Sequence, residues 1–558
     1  MSTAPSTQPS PQRAGLPAPA ARIVFVGAGP GDPGLMTVRA TRVLGMADVV
    51  VADEGHLEDD FVEWMRPGAT FMTVPAAQAE LTAASRAKEL VSTAKDAVKQ
   101  AAERRAEAGG GREGQVVLAR VVDGDPSIFS SLGVEAAAAR KAGLEIEVVP
   151  GVSALQAVPT YAGVPIATGT NRVVHAIGPG GRVNPAVVED DSTTLVLIGS
   201  ADEVVEHARA LVKGGRAANT PIALTVGGTT AQQATSISTL ADVAEGAEEV
   251  EGDEVVATVG ACVGDRDTLS WFETRPLFAW RVLVPRTKDQ AEPMVRALSE
   301  RGATAHVVPT ISVEPPRSPH QMDKAIRGLV TGTYEWIGFT SVNAVKAVRE
   351  KFAGLGLDAR DFAGLKIAAV GGKTADALRA WGIEPDLVPS GEQSARGLLE
   401  DWPPYDDVLD PINRVFLPRA DIATEVLVSG LQERGWEVDD IVAYRTVRAT
   451  PPPAPVRAAI KNGTYDAAVF TSSSTVRNLV GIAGKPSPST VIVCIGPATA
   501  ETATELGLRV DAVAEEASGE AVIDALTAFA RGRVEEALAA GRPVTRPSQE
   551  VTKRRRSR

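Results

Sequence analysis

An internal duplication in the second half of the chain limits the folds open to it. Four short blocks occur twice, in the same order along the sequence. The pairs are Arg281–Arg286 with Arg414–Arg419, Phe339–Val345 with Phe470–Val476, Gly371–Ala375 with Gly496–Ala500, and Ser394–Leu398 with Ser518–Val522. Four matched blocks in one order predict that residues 281–530 form two similar lobes.

Short apolar runs alternate with longer Ala- and Leu-rich segments over most of the chain. Runs such as RIVFVGAG, TLVLIG, RVLVPR and AAVFTS are rich in β-branched residues and bounded by Gly or Pro. The segments between them have helical periodicity, so the pattern predicts parallel α/β layers. Residues 84–113 are rich in Ala, Lys, Arg and Glu and end in GGGREG, which predicts an exposed helix followed by a flexible loop.

The composition excludes several classes of protein. The 558 residues suffice for three or four compact units, and we expect a boundary near residues 272–280. A formal charge of −13 and an aromatic content of 4% argue against a nucleic-acid partner. We expect no membrane segment, since no run approaches 18 apolar residues. The two distant cysteines and the histidine spacing predict neither a disulfide framework nor a metal site.

The two ends of the chain predict little structure. Residues 1–20 are rich in Pro, Ser and Ala, and we expect a disordered tail. They lack the apolar run of a signal peptide, which favours a cytoplasmic protein. We expect residues 533–558 to form a polar tail that ends in KRRRSR. For that basic run we expect a solvated segment, with nucleic-acid contact as the alternative.

The duplicated blocks place hydroxyl groups where strands give way to helices. Helix N-termini carry free N–H groups and favour negative charge, so several of them in two lobes suit a ligand with many carboxylates. Plain helix capping is the alternative interpretation. Gly371–Thr374 is not a P-loop, because the first glycine of that motif is missing. The candidate anion-binding hydroxyls are Thr340, Ser341, Thr374, Ser472, Ser473, Ser474 and Thr499.

Taken in order, the motifs VLVPR, FTSVNAV, AVGGKTA, SARGLL, VAYRTV, FTSSSTV and IGPATA resemble the uroporphyrinogen-III synthase family. The resemblance implies an α/β domain over residues 278–531, with two lobes joined by a two-stranded connector. One lobe would combine about 281–312 with 447–531, and the other would cover 317–442. The chain would cross near Pro309–Pro316 and return near Ala443–Ala449.

The same resemblance implies a reaction. The family closes linear hydroxymethylbilane to uroporphyrinogen III while inverting ring D, with no cofactor, and its substrate carries eight carboxylates. Arg286 and Arg419 join the hydroxyls above as candidate substrate-binding residues. The family's functional tyrosine matches Tyr444, which would donate a proton to the departing hydroxyl or align it. A structural tyrosine at the lobe interface is the alternative.

In the first half, strand Ile23–Val26 runs into the loop Gly27–Leu35 (GAGPGDPGL). A dinucleotide site is not expected there, because Asp32 replaces the third glycine of the Gly-x-Gly-x-x-Gly motif. This loop, the later motifs DGDP and VPGVS, and Asp53 resemble the tetrapyrrole methylases over about residues 21–272, closest to uroporphyrinogen-III C-methyltransferase.

This second resemblance implies a two-lobed α/β domain over residues 21–274 with S-adenosylmethionine between its lobes. The candidate cofactor-binding residues are Gly29, Pro30, Gly124, Asp125 and Ser153. The chain departs from the family at Val122, where a lysine is usual, and at Ser130-Ser131, where Gly-Arg is usual.

Together the resemblances predict a fused enzyme that makes uroporphyrinogen III and methylates it at C2 and C7, with a possible homodimer through the first half. One alternative is a degenerate first half that only binds S-adenosylmethionine or tetrapyrrole. Another is a second half that acts as a periplasmic-type binding protein, against which the missing export signal speaks.

Overall fold

The computed structural model describes residues 21–53, 61–74, 83–107, 115–169, 173–184, 192–247, 252, 254–422 and 425–550. These residues form two compact units, the first ending at Trp280 and the second beginning at Arg281, apart from residues 301–303. Each unit contains two five-stranded sheets built from the described residues. The predicted tail over residues 1–20, the predicted loop after residue 107 and the final KRRRSR lie outside the described residues.

The first unit begins with a parallel sheet, in the order β3-β2-β4-β1-β5. Its strands are β1 (Ala21–Gly27), β2 (Val49–Asp53), β3 (Thr70–Val74), β4 (Val116–Val122) and β5 (Glu145–Val149). Its helices are α1 (Val38–Leu44), α2 (Ala83–Glu107), α3 (Leu132–Lys141) and α4 (Ala154–Tyr161). The central strands are apolar on both faces, because helices cover both sides of such a sheet. The helix predicted in the first part of the segment 84–113 corresponds to α2.

The second sheet of this unit is mixed, in the order β6-β7-β10-β8-β9. Its strands are β6 (Val173–Ile177), β7 (Thr193–Gly199), β8 (Pro221–Val226), β9 (Ala234–Thr239) and β10 (Val255–Val259). Its helices are α5 (Ala201–Lys213), α6 (Leu240–Glu245) and α7 (Arg266–Leu269). Only β6 and β7 pair in parallel in this described part of the chain; the other neighbours are antiparallel.

The second unit continues the alternation of strands and helices. Its strands are β11 (Arg281–Val284), β12 (Thr304–Val307), β13 (Ile311–Glu314), β14 (Trp336–Phe339), β15 (Lys366–Ala369), β16 (Arg414–Ala420), β17 (Glu437–Arg448), β18 (Ala467–Phe470), β19 (Val491–Cys494) and β20 (Ala512–Val513). Its helices are α8 (Lys288–Glu300), α9 (Pro319–Val330), α10 (Val342–Leu355), α11 (Gly372–Arg379), α12 (Ala395–Asp401), α13 (Val426–Glu433), α14 (Ala454–Asn462), α15 (Ser473–Ala483), α16 (Pro497–Glu505) and α17 (Gly519–Ala539).

Two lobes make up this unit. Lobe A is built on the parallel sheet β12-β11-β18-β19-β20, and lobe B on the sheet β13-β17-β16-β14-β15. The chain passes from lobe A to lobe B through β13 and returns along the end of β17. These two segments pair in antiparallel register, with Ile311 opposite Arg448 and Glu314 opposite Arg445. They form a two-stranded connector that is continuous with the sheet of lobe B.

The duplicated blocks fold alike in the two lobes. In lobe B, β14 leads to Ser341, whose Oγ accepts the Ala344 N–H at 3.1 Å and caps α10. In lobe A, β18 leads to Ser472, whose Oγ accepts the Thr475 N–H at 3.3 Å and caps α15. The repeated Thr-Ser or Ser-Ser pattern therefore places a capping hydroxyl at the same point of each lobe, where a free N–H needs an acceptor.

The polar tail predicted from residue 533 contains ordered structure over the described residues up to 550. Helix α17 continues to Ala539, and the segment after it folds back along lobe A. Arg533 Nη2 lies 2.6 Å from Glu550 Oε1. The carboxylate of Asp466, which is fully buried, accepts the N–H of Ser548 and the N–H of Arg281, each at 2.9 Å. This polar segment is held in place because a backbone N–H group in it donates to the buried carboxylate of Asp466.

Three glycines allow the loops at one edge of the first sheet to touch. A Cβ added to Gly151 would lie 2.0 Å from the carbonyl oxygen of Gly124 and 2.8 Å from Cα of Gly27. The ends of β1, β4 and β5 can therefore meet only without side chains at this point.

Within the part of the chain that the structure describes, no helix combines the length and the apolar content needed to cross a bilayer.

Removing the acceptor under the C-terminal segment should loosen lobe A. We expect Asp466→Ala to destabilise it by about 1–3 kcal/mol, since two N–H groups lose their partner. Native-state hydrogen exchange in peptides covering β11 and β18 measures the effect. The control Asp376→Ala removes an exposed ion pair with Arg379 and should cost under about 1 kcal/mol. Unchanged protection in β11 would contradict the prediction.

Gly151→Ala should separate the loops that follow β1, β4 and β5. The added methyl group overlaps backbone that has no side chain to move, so we expect a cost of about 1–3 kcal/mol or more. Hydrogen exchange in β1 and β5 reports it. Gly133→Ala on α3 is the matched control, because its Cβ meets nothing within 4 Å and a helical alanine is favourable. Equal protection in the two variants would show that the close approach is not needed.

Candidate active sites

A cleft of about 1530 Å³ lies between lobe A and lobe B. Helix α8 and the start of α17 line it from lobe A, and α9, α10 and the end of β17 line it from lobe B. The connector strand β13 also contributes to its wall. The volume suits a ligand much larger than a single ring.

Tyr444 lines this cleft near the end of β17. The pairing of β17 with β16 shifts here: Arg419 faces Val442 but Ala420 faces Tyr444, so Ala443 is the extra residue of a β-bulge. Bulges turn a strand and redirect its side chains. The Tyr444 side chain is nearly buried, at 7% exposure, and its Oη lies 2.9 Å from Oγ of Ser341. The phenol is thereby fixed with a hydroxyl neighbour.

Cationic side chains from both lobes line the same cleft. They are Arg286, Arg296, Arg327, Lys346, Lys351 and Lys373, and the acidic side chains of Glu300, Glu314, Asp323, Glu350 and Glu520 line the cleft as well. The Nζ of Lys351 lies 2.7 Å from Oδ1 of Asp323 and is neutralised there. Within the described residues Arg286 has no ion pair; its Nη1 contacts Sδ of Met294 at 3.9 Å, and burial lowers the pKa of its guanidinium. A partly buried guanidinium that forms no ion pair is a favourable partner for a carboxylate.

Of the candidate substrate-binding residues, Arg286 and Ser341 line the cleft. Thr340, one residue before the α10 cap, does not. Thr374 and Thr499 are buried at the third positions of α11 and α16.

The serines of lobe A form local hydrogen bonds and do not line the cleft either. Ser472 Oγ lies 2.9 Å from Ser474 Oγ, and Ser473 donates to the Ala498 carbonyl at 3.0 Å.

Arg419 does not line the cleft. The structure does not bring its guanidinium to the cleft; it is buried, ion-paired with Asp440 and with Glu425 at 2.9 Å. Since two carboxylates already pair with this guanidinium, we do not expect it to bind a carboxylate of a ligand.

Lys346 and Lys373 were not predicted from the sequence. Lys373 lies inside the duplicated block Gly371–Ala375. Its charged side chain beside a predicted helix start is the sequence feature that could have marked it as a candidate.

In the first unit, the candidate cofactor-binding residues meet at the carboxyl ends of β1, β4 and β5. Gly29 and Gly124 form an isolated bridge, with the Gly124 N–H donating to the Gly29 carbonyl at 2.9 Å. Gly124 has φ +61°, a left-handed conformation that side chains rarely adopt. Pro30 follows the bridge directly. Backbone rather than side chains therefore forms this edge.

Asp125 and Ser153 hold the neighbouring loops. Asp125 Oδ2 accepts the Gly151 N–H at 2.9 Å, and its other oxygen accepts from the backbone and hydroxyl of Ser127. Burial raises the pKa of this carboxyl, but the bonds from Ser127 and Gly151 outweigh it and leave the pKa below its usual value. Ser153 Oγ accepts the Leu155 N–H at 3.2 Å and caps α4. Both side chains therefore accept hydrogen bonds from backbone N–H groups of the protein itself.

The second sheet of the unit supplies a residue that was not predicted, Thr229. Its φ is +66°, which is a strained conformation for a β-branched residue. Its Oγ1 accepts the Asp32 N–H and donates to the Pro30 carbonyl, both at 3.1 Å. Tyr161 donates to Asp32 Oδ2 at 2.7 Å. The loop after β1 is therefore fixed from both lobes of the unit.

A buried ion-pair network ends at Asp53. Arg120, at 2% exposure, lies 3.1 Å from Glu135 Oε2 through Nε and 2.6 Å from Asp53 Oδ1 through Nη2. Burial raises the pKa of the Asp53 carboxyl, and Arg120 offsets part of that rise. Arg120 and Glu135 were not predicted from the sequence, because a single charged residue in an apolar segment does not indicate which residue it pairs with.

Comparison with known proteins identifies both units. A protein-family model described as uroporphyrinogen-III synthase HemD matches residues 292–524, and one described as tetrapyrrole (corrin/porphyrin) methylases matches residues 22–244. The porphyrin biosynthesis protein HemD of Ruminiclostridium josui is 28% identical over 531 residues, which are 92% of this chain and 99% of that protein.

Relatives of each half are also similar. The uroporphyrinogen-III synthase of Synechococcus elongatus is 31% identical over 46% of this chain and 98% of its own length. The S-adenosyl-L-methionine-dependent uroporphyrinogen III methyltransferase of Methanosarcina barkeri is 30% identical over 41% of this chain and 86% of its own length. The predicted fold class and fusion are confirmed: the chain belongs to the tetrapyrrole methylase family in its first part and to the uroporphyrinogen-III synthase family in its second.

Proposed function

We propose that the domain predicted over residues 278–531, most of which lies in the second unit, closes hydroxymethylbilane to uroporphyrinogen III with inversion of ring D. The domain predicted over residues 21–274, in the first unit, then methylates uroporphyrinogen III at C2 and C7 with S-adenosylmethionine. The observation that carries the proposal is the phenol of Tyr444 beside Ser341, in a cleft lined by cationic side chains. Membership of both families supports it.

The cyclisation needs a proton on the departing hydroxyl of the bilane. Tyr444 donates it: the phenolic O–H bond breaks, the C–O bond of the hydroxymethyl group breaks, and water leaves. Inversion of ring D requires that the bond between its substituted α-carbon and the neighbouring bridge carbon breaks and that the bridge carbon bonds instead to the free α-carbon of the ring. That free α-carbon loses its proton, which the phenolate recovers, so bonds and protons balance. Ring attack is inherent in pyrrole chemistry. The remaining task of the protein is to hold the substrate in a curled conformation, which is an orientation effect.

The cleft supplies charges for that task. Arg286 from lobe A and Lys373 from lobe B lie on opposite walls and can each bind a substrate carboxylate. Since the two residues belong to different lobes, they would hold different parts of one extended substrate. Backbone N–H groups at the helix starts can add further anion contacts.

In the first unit, S-adenosylmethionine would supply an electrophilic methyl group. The glycine edge fits such a ligand, because Gly29 and Gly124 expose backbone groups where no side chain interferes. Asp125 holds this edge in shape through Gly151. Asp53, fixed by Arg120, is a carboxylate that can accept a proton from the ring being methylated.

A first unit that binds S-adenosylmethionine or tetrapyrrole without methyl transfer is the second candidate. It is favoured by the loss of the lysine at Val122 and of the Gly-Arg pair at Ser130-Ser131. For the active fusion, linking two consecutive steps raises the effective concentration of the intermediate at the next site. By resemblance alone we also propose a homodimer through the first unit.

Tyr444→Phe should slow formation of the type III isomer by about 10²–10⁴-fold, since it removes the proton donor and keeps the ring. Initial rates with hydroxymethylbilane and isomer analysis of the product measure it. Tyr334→Phe is the matched control: it removes a phenol bound to Asp439 in lobe B, away from the cleft, and should leave the rate unchanged. A Tyr444→Phe variant with the wild-type rate would make Tyr444 an interface residue.

Asp125→Ala should weaken binding of S-adenosylmethionine by about tenfold or more, because the edge loses the bonds to Ser127 and Gly151. Calorimetry on the full chain measures it, with exposed Asp202→Ala on α5 as the control. Turnover of uroporphyrinogen III is assayed in parallel. Binding without turnover would select the non-catalytic candidate, and no binding by the wild type would remove the cofactor assignment.

A further inference from the structure

The hydroxyl of Ser341 lies between the start of α10 and the phenol of Tyr444. Its Oγ accepts the Ala344 N–H at 3.1 Å and lies 2.9 Å from the phenol oxygen. We propose that Ser341 is a positioning residue that acts through Tyr444: it donates its proton to the phenol oxygen, so that the phenol's own proton is available to the leaving hydroxyl. The inference rests on the proposed synthase reaction.

A count of protons supports this direction. A serine hydroxyl has one proton to donate and two lone pairs. One lone pair of Ser341 is engaged by the Ala344 N–H, which polarises the hydroxyl and strengthens it as a donor. If its proton points to Tyr444 Oη, the phenolic proton is left for the substrate. In the alternative direction, Tyr444 donates its phenolic proton to Ser341 Oγ, and that proton is then not available to the substrate.

The same arrangement stabilises the charge that forms in the reaction. When the phenolic O–H bond breaks, the electron pair stays on Oη and the proton joins the departing hydroxyl, which leaves as water. Ser341 keeps its proton and donates a hydrogen bond to the resulting anion. The N-terminus of α10, a helix of 14 residues, adds a favourable field at the same point.

The internal duplication separates this contact from simple capping. Ser472 caps α15 in lobe A with similar geometry, at 3.3 Å, yet its hydroxyl neighbour is Ser474 and not a phenol. Capping is therefore common to both lobes, whereas the phenol contact belongs to lobe B. The β-bulge at Ala443 gives the second reason, because an extra residue there redirects Tyr444 toward the helix start.

Ser341 also lines the cleft, so direct binding of a substrate carboxylate is the competing role. The two roles differ in what they change. A positioning residue lowers kcat and leaves KM unchanged, because it acts on the transition state through Tyr444. A direct substrate contact raises KM and operates whether or not residue 444 has a hydroxyl.

A double-mutant cycle on the full chain distinguishes them. Initial rates of type III formation from hydroxymethylbilane are compared for the wild type, Ser341→Ala, Tyr444→Phe and the double variant. We expect Ser341→Ala to lower kcat by about 10–100-fold, the effect of one hydrogen bond to a charged group, with KM unchanged. The double variant should be no slower than Tyr444→Phe alone, and Ser341→Thr should restore the rate.

Controls separate folding from function. Ser394→Ala removes the same type of cap from α12, where Ser394 Oγ accepts the Gly397 N–H at 3.2 Å. It should show the stability loss of a missing cap, about 1 kcal/mol, without a change in kcat. Ser341→Thr keeps both the cap and the hydroxyl, so its activity is informative even if Ser341→Ala folds poorly.

Two outcomes would overturn the inference. One is a double variant whose loss is the product of the single losses together with a raised KM, which would assign Ser341 to the substrate. The other is a Ser341→Ala variant with the wild-type kcat beside a slow Tyr444→Phe. Failure of the proposed reaction looks different, since the wild type would then form no excess of the type III isomer.

Discussion

The antiparallel pairing of β13 with the end of β17 is the contact on which the synthase unit depends, because the chain uses it to cross between the lobes in both directions. Glu314 lies opposite Arg445, and their side chains form an ion pair of 2.7 Å. Tyr444 immediately precedes Arg445, so the register that joins the lobes also places the phenol at the cleft. A slip of one residue would turn Tyr444 to the opposite face of the strand.

Local patterns in the sequence predicted those features that depend on local chemistry. The duplicated Thr-Ser and Ser-Ser motifs predicted helix starts, and Ser341 and Ser472 cap helices as expected, because capping requires only the next three residues. Long-range pairing was not predictable in this way. The same motif ends in Arg286 and in Arg419, yet the second arginine is buried in an ion pair because Asp440, on the neighbouring strand, and Glu425 lie against it.

The C-terminal segment and Thr229 escaped prediction for related reasons. The residues after α17 are polar, and their order depends on a buried carboxylate 82 positions earlier in the chain, Asp466. Thr229 has a backbone conformation that its side chain disfavours, and it persists because Gln233 Oε1 accepts its N–H at 2.7 Å and Pro30 accepts its hydroxyl. Local propensity opposes such a residue, so only tertiary contacts can account for it.

The departures from the methylase family in the first unit are accommodated within the same loop. Ser131 donates to Glu135, which in turn pairs with Arg120, so the serine joins the buried network that ends at Asp53. Ser130 donates to the Pro126 carbonyl. Asp125, at the other end of the loop, keeps its bonds to Ser127 and Gly151. The end of the loop that Asp125 holds is thus supported by bonds other than those of Ser130 and Ser131.

Strand β17 breaks the symmetry of the duplicated synthase unit. It is 12 residues long and runs beside β16, where its Asp440 neutralises Arg419 and its Tyr444 meets the capping Ser341. In lobe A, the described residues give Arg286 no acidic partner, and Ser472 has another serine as its neighbour. Two similar lobes therefore present different chemistry to one cleft. In lobe A the strand at the same position beside β11 is β12, which has only 4 residues. The longer β17 therefore carries both differences, because it pairs the arginine of lobe B with an acid and adds a phenol to the cleft.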